Sequence, residues 1–214
     1  MNKATIFIAL FSISCCDSHS DGSISPACND FEMKPRHGGE VSRKNEGAFE
    51  VRIQSQEYDP LNPSTVSVKI ISSTGVRFKG FLIQARRHNS FDAIAKGIMN
   101  GPASLTRQIC GNEGNGMAHT AEFSNNWKDE ISLNWSPYED VCDNLDMGDL
   151  QFQLTVVRSF SEKAQVNIFS SVLKMKNVTD LDLIRQCENR VRSVGGVVSV
   201  PLFLIVGLFV LQLL

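Results

Sequence analysis

Histidine, tryptophan and tyrosine are scarce here: four, two and two residues in a chain of 214. The histidines (His19, His37, His88 and His119) are scattered, with no H-E-x-x-H and no pair at helical spacing. A metal or acid–base centre built on histidine therefore has no footing, and His37 and His119 read as turn or strand-edge residues. No G-x-S-x-G elbow is present to expose a nucleophile. The stretch Gly111-Asn112-Glu113-Gly114-Asn115-Gly116 lacks the Lys-Ser/Thr that a phosphate-cradling loop needs, and reads as a flexible loop. The acidic residues Glu139, Asp140, Asp143, Asp146 and Asp149 lack EF-hand spacing and read as a solvated loop. An excess of one charge is missing too: 21 basic against 23 acidic residues leave −2, which carries no nucleic-acid signature. Heptads and internal repeats are absent. The expectation is a protein without catalytic residues, metal or cofactor.

Long apolar runs are missing from the interior and confined to the two ends. Lys3, then an apolar stretch over 4–14, then Cys15, Cys16, Asp17 and Ser18 have the form of a secretory signal peptide, residues 1–18. Residues 197–214 are apolar except for Ser199 and Gln212. As a membrane helix this tail is near the lower length limit. It also has no Lys or Arg after it, while Arg185, Arg190 and Arg192 precede it. A glycolipid (GPI) attachment signal accounts better for those facts, with Asn189, Ser193 and Gly195 as candidate attachment residues. The basic residues at 185–192 would also meet anionic headgroups. The expected location is secreted, or on the extracellular face of the plasma membrane.

Closely spaced cysteines are lacking as well. Of six, Cys15 and Cys16 fall at the signal junction, leaving Cys28, Cys110, Cys142 and Cys187, with no C-x-x-C. Their spacing does not suit zinc. An even number in an exported domain argues for two disulfides, with three pairings open. Cys187 sits in a polar stretch and needs an anchor, most simply Cys142. Two sequons, Asn134-Trp135-Ser136 and Asn177-Val178-Thr179, are candidate glycosylation sites, whereas Asn62-Pro63-Ser64 is blocked by proline.

Period-two alternation fills the middle of the chain. Residues 49–53, 66–70, 131–135 and 152–156 alternate apolar and polar, and 76–85 is apolar enough to be buried on both faces. Residues 118–123 and 166–172 are further strand candidates, and a turn follows at Ser72-Ser73-Thr74-Gly75. Only 90–100 hints at a helical turn, cut short by Gly97, Gly101 and Pro102. Short alternating strands in an exported chain predict an antiparallel β-sandwich, with Trp135 packed between the sheets. After residue 172 the pattern decays, and 174–196 reads as a polar stalk.

Several of these segments resemble one known family. Ser25-Pro26-Ala27-Cys28 and Met33-Lys34-Pro35-Arg36-His37-Gly38 are similar to the opening of the reeler (reelin N-terminal) domain. Phe78-Lys79-Gly80-Phe81-Leu82-Ile83-Gln84-Ala85-Arg86 resembles its central strand. Cys110, His119-Thr120, Lys128 and Trp135-Ser136-Pro137 follow in the family's order, and Phe152-Gln153-Leu154-Thr155-Val156-Val157 is similar to its late strand. The resemblance implies a domain over 22–173, all-β and immunoglobulin-like, an antiparallel sandwich stapled by two disulfides. It implies a bridge between Cys28 and Cys110, and a second that uses Cys187.

The resemblance also frames the functional expectation. Family members include matrix and guidance proteins, ferric-reductase-like membrane proteins and stand-alone arthropod defence proteins. The leading expectation is a non-enzymatic, secreted or cell-surface protein that recognises a microbial lipid or glycan in innate defence. The alternatives are a matrix adhesion or guidance module that meets a glycosaminoglycan, and an accessory to a membrane ferric reductase. The last lacks a ligand set, and 214 residues leave no room for a multi-span haem domain. Arg77, Lys79, Arg86, Arg87 and His88 bracket the most apolar strand and are the candidate ligand-binding residues, suited to phosphate or sulfate. Edge charges that discourage strand pairing are the simpler account of the same residues.

Overall fold

The computed structural model describes residues 28, 32–35, 40–43, 47–73, 75–110, 115–126, 128–159 and 161–194. Residues 1–18, read above as a signal peptide, the apolar stretch 197–214, His19, His37 and Gly195 lie outside the described residues.

Strands dominate. In chain order they are β1 (Val41–Ser42), β2 (Phe49–Ile53), β3 (Glu57–Tyr58), β4 (Val66–Ser72), β5 (Gly80–Arg87), β6 (Ser90–Ile94), β7 (Ile98–Asn100), β8 (Thr106–Ile109) and β9 (Gly116–His119). Helix α1 (Ala121–Asn125) precedes β10 (Glu130–Ser136). Helix α2 (Val141–Met147) precedes β11 (Leu150–Val157), β12 (Ala164–Phe169) and β13 (Lys174–Met175). Helix α3 (Leu181–Val194) follows. One sheet of seven strands runs β1-β12-β11-β5-β9-β8, with β6 also on β5. It faces a four-stranded sheet, β2-β4-β10-β7. The long pairings are antiparallel, and the two-residue pairs β1–β12 and β13–β3 are parallel. The fold is the all-β sandwich the alternation predicts, of the immunoglobulin-like kind the resemblance implies.

Alternation decides which side chains meet. On β4, Val66, Val68 and Ile70 point inward and are buried. On β10, Ile131, Leu133 and Trp135 do the same, while Ser132 and Asn134 face solvent. Trp135 is fully buried between Tyr58 and Phe152, edge-on to each at 6.0 and 5.9 Å. Burial pushes the Tyr58 phenol above its ordinary pKa, with Asp149 adding to the effect. Its hydroxyl donates to the Gly148 carbonyl at 2.7 Å.

Gly97 makes room for the indole. A Cβ on it would lie 2.6 Å from Trp135 Nε1 and 2.7 Å from the Ser136 carbonyl oxygen. Gly97→Ala should therefore destabilise the fold by about 1–3 kcal/mol through overpacking, read as a lower urea midpoint with an unchanged slope.

β5 and β11 are buried on both faces. Phe81, Ile83 and Ala85 join the core between the sheets. Leu82 faces the other way and packs with Cys28, Met33, Ile109 and Ala118. Residues from the N-terminal segment thus roof the outer face of the large sheet. Thr155 Oγ1 donates to the Met33 carbonyl at 3.1 Å, and Gln84 and Gln153 are fully buried on the same side. Glu32 accepts from Arg43 and Lys34, which holds its carboxyl down to about 2.

Four segments differ from the reading of the sequence, the first being the acidic stretch 139–149, which contains helix α2 instead of a solvated loop. Residues 90–100 form β6 and β7 rather than a helical turn, because β7 is held by β10 and β6 by β5. Residues 121–125 are helix, with Thr120 as N-cap. The stretch set apart as a stalk contains β13 and the 14-residue helix α3. Asp180 caps α3, accepting from the Asp182 and Leu183 backbone N–H groups at 3.1 and 3.0 Å.

Candidate functional site

The basic residues around β5 do not form one patch. Phe78 is fully buried in the core, so alternation turns Arg77 and Lys79 away from it. Arg77 is exposed and Lys79 half-buried. Arg86 and Arg87 sit seven or more residues further along an extended chain, about 23 Å away. Arg86 is 1% exposed, and its Nη2 donates to the Cys28 carbonyl at 3.2 Å. It therefore serves the roofed outer face rather than the surface. Arg87 pairs with Asp146, and the His88 N–H donates to the Asp149 carbonyl at 2.7 Å. Of the five expected ligand-binding residues, Arg77 and Lys79 stay together, and Arg86, Arg87 and His88 lie at the opposite end.

The ladder brings other cations to the Arg77 end. Phe78 and Lys128 form an antiparallel bridge, with N–H to carbonyl distances of 2.8 and 3.2 Å in the two directions. Lys79 N–H donates to the Val157 carbonyl at 3.0 Å, which sets Arg158 beside it. Arg158 Nη1 lies 3.0 Å from Glu162 and keeps 38% of its side chain exposed. Arg77, Lys79, Lys128 and Arg158 thus lie on neighbouring backbone segments at one end of the sandwich, Lys128 on the same face as its bridge partner Phe78 and Arg77 and Lys79 on the other. Lys128 and Arg158 come from distant segments, and only strand pairing reveals their proximity.

At the opposite end, carboxylates of α2 and its cap meet cations from other segments. Asp140 N-caps α2, accepting from Cys142 and Asp143 N–H at 3.0 and 3.2 Å, and it also pairs with Arg190 of α3. The Arg190 guanidinium, together with those N–H groups, holds the Asp140 carboxyl below the usual carboxylate range. Asp143 meets Lys96 at 2.7 Å, Asp146 meets Arg87, and Asp149 accepts from Met175 N–H at 2.9 Å. Asp140, Asp143, Asp146 and Asp149 of the acidic run are thus structural acceptors. Among the described residues, no three His, Cys, Asp or Glu side chains are grouped to hold a metal ion.

Both disulfides are formed. Cys28–Cys110 ties the N-terminal segment to the end of β8, with the Cα atoms 5.2 Å apart. Cys142–Cys187 ties α2 to α3, with the Cα atoms 5.0 Å apart. A cleft of 410 Å³ opens over the second bridge, between α2, β13 and α3. Leu145, Met175, Val178 and Ile184 supply its apolar lining, and Asp146, Asn177 and Glu188 its polar groups. Asn177 is exposed in the loop between β13 and α3, and Asn134 is exposed on β10. Asn189 is exposed on α3, and Ser193 lies in that helix's last turn. Among the described residues, no helix is long and apolar enough to cross a membrane.

A family model described as the Reeler domain matches residues 26–178, well over half of the chain. The chain belongs to the Reeler domain family. The reeler domain of human F-spondin has the same fold: it is 15% identical, with a TM-score of 0.50, over 65% of this chain and 96% of that one. A Danio rerio protein provisionally named ferric-chelate reductase 1 is 26% identical over 154 residues, which are 72% of this chain. The chain spans 25% of that relative's length. The reeler match takes in Cys28, Cys110 and Cys142, and it stops before Cys187 and α3.

Proposed function

We propose that this reeler-domain protein is a non-enzymatic recognition protein, exported to the cell exterior, that binds phosphate-bearing microbial lipid or glycan in innate defence. Binding falls to the end of the sandwich built from Arg77, Lys79, Lys128 and Arg158. One observation carries the reading: backbone pairing of Phe78 with Lys128 and of Lys79 with Val157 brings Arg77, Lys79, Lys128 and Arg158 to one end of the sandwich, where Arg158 is paired with Glu162. Cations on backbone held by pairing next to the strand ends meet a phosphate with less ordering cost than cations on an unpaired loop. The role as an accessory to a ferric reductase would ask for axial histidines. His119 Nδ1 lies 3.1 Å from the Phe81 backbone N, with the ring packed on Phe81 and Phe123. His88 lies past the other end of β5.

The test is a pull-down of the mature protein with lipopolysaccharide, peptidoglycan and heparin. Lipopolysaccharide should bind, and the R77E/K79E variant should bind about tenfold more weakly, with the difference shrinking as salt rises. Binding to heparin alone would shift the assignment to a matrix glycosaminoglycan and an adhesion role. Capture by none of the three, or capture indifferent to the charge reversal, would overturn the reading.

A further inference from the structure

We infer that Asn177 carries an N-linked glycan whose first sugars occupy the cleft over the Cys142–Cys187 bridge. The inference rests on export, as the proposed function does, but not on any ligand. Two independent observations converge. The first is chemical: Asn177-Val178-Thr179 is an acceptor sequence, with Asn177 and Thr179 both exposed in the loop between β13 and α3. The second is geometric: Asn177 is itself part of the lining of the 410 Å³ cleft.

The cleft's chemistry suits that occupant. Leu145, Met175, Val178 and Ile184 offer apolar surface for pyranose faces and N-acetyl methyl groups. Asp146 and Glu188 at the same cleft offer acceptors for sugar hydroxyls. A sugar tethered through Asn177 needs only weak intrinsic affinity, because attachment makes its contacts intramolecular at a high effective concentration. The Asn134 sequon differs. Its strand is paired on both edges, to β4 and β7, and its middle residue is the buried Trp135.

The modification is a displacement at an anomeric carbon, catalysed by an oligosaccharyltransferase. Asn177 Nδ2 forms a bond to C1 of the terminal N-acetylglucosamine of a lipid-pyrophosphate-linked oligosaccharide. The C1–O bond to the pyrophosphate breaks, the carrier leaves with the electron pair, and the amide gives up one proton. The sugar then sits beside the disulfide that fastens α3 to α2, restricting access to the bridge and covering the apolar lining.

The experiment uses the full chain expressed in a eukaryotic secretory host. Peptide mass spectrometry, with and without peptide N-glycosidase, reads the occupancy of Asn177. Hydrogen exchange of wild type, N177Q and T179A reads the cover. The expected result is a glycan on Asn177 and, in both variants, exchange over 142–147 and 181–190 faster by about threefold, the size expected for uncovering a small apolar area. An unmodified Asn177 on protein whose four cysteines are bridged would overturn the inference while leaving export intact. A glycan whose loss leaves exchange in those two segments unchanged would overturn the placement in the cleft.

Discussion

Replacing Cys28 and Cys110 together by serine should lower the folding free energy by about 4.5 kcal/mol from loop entropy alone, given a sequence separation of 82. The corresponding change at Cys142 and Cys187, with a separation of 45, should cost about 4 kcal/mol by the same reasoning. The two losses differ more in kind than in size. Cys28 is buried with Leu82, Ile109 and Ala118 on the outer face of the large sheet. Its carbonyl accepts from the buried Arg86, and the nearby Met33 carbonyl accepts from Thr155. Losing the first bridge frees the segment that covers those groups, so water reaches Arg86 and Gln84 and the loss exceeds the entropy figure. Losing the second frees α3, whose remaining tie to α2 includes the exposed Arg190–Asp140 pair, worth little alone. Urea titration of the two double mutants should therefore rank C28S/C110S as the less stable. Hydrogen exchange should show β5, β8 and β9 deprotected in that variant, and α2 and α3 in the other. Equal exchange maps would contradict the roof described for the large sheet.

The sequence made the sandwich legible where alternation alone sets burial. Residues 49–53, 66–70, 131–135 and 152–156 lie within β2, β4, β10 and β11, and Trp135 sits between the sheets. It was less informative where a residue's surroundings come from a distant segment. Arg86 follows Leu82 and Gln84 on the outward face of β5, and an outward arginine reads as exposed. Its burial depends on Cys28, nearly sixty residues earlier, lying across that face. Lys128 and Arg158 drew no attention as partners of Arg77 because their closeness arises from pairing at Phe78 and Lys79. The acidic residues of α2 read as a loop for a related reason: their cations, Lys96, Arg87 and Arg190, come from three separate places. For α3 the signal was present. Ile184, Cys187, Val191 and Val194 recur at helical spacing after the cap Asp180, but dense charge between them masked the stripe.

The second large effect belongs to Trp135→Ala, expected to cost about 3–5 kcal/mol. The indole is fully buried and touches Tyr58 from the edge region and Phe152 from the large sheet. Its loss opens a cavity that backbone hydrogen bonds on both sides of β10 prevent from collapsing. The same change tests the account of Gly97. In the wild type, a methyl group at position 97 meets the indole nitrogen and the Ser136 carbonyl oxygen. Without the indole, two of the three nearest obstacles are gone and the backbone oxygen remains in its way. Gly97→Ala should then cost less in the Trp135→Ala background than in the wild type, without becoming neutral, because β7 and β10 are hydrogen-bonded at Ile98 and Ser136 and cannot separate freely. A double-mutant cycle by urea unfolding measures that difference as a coupling of about 0.5–3 kcal/mol. Strict additivity would mean that Gly97 is required by the strand crossing alone, and that the packing of the indole against it contributes nothing.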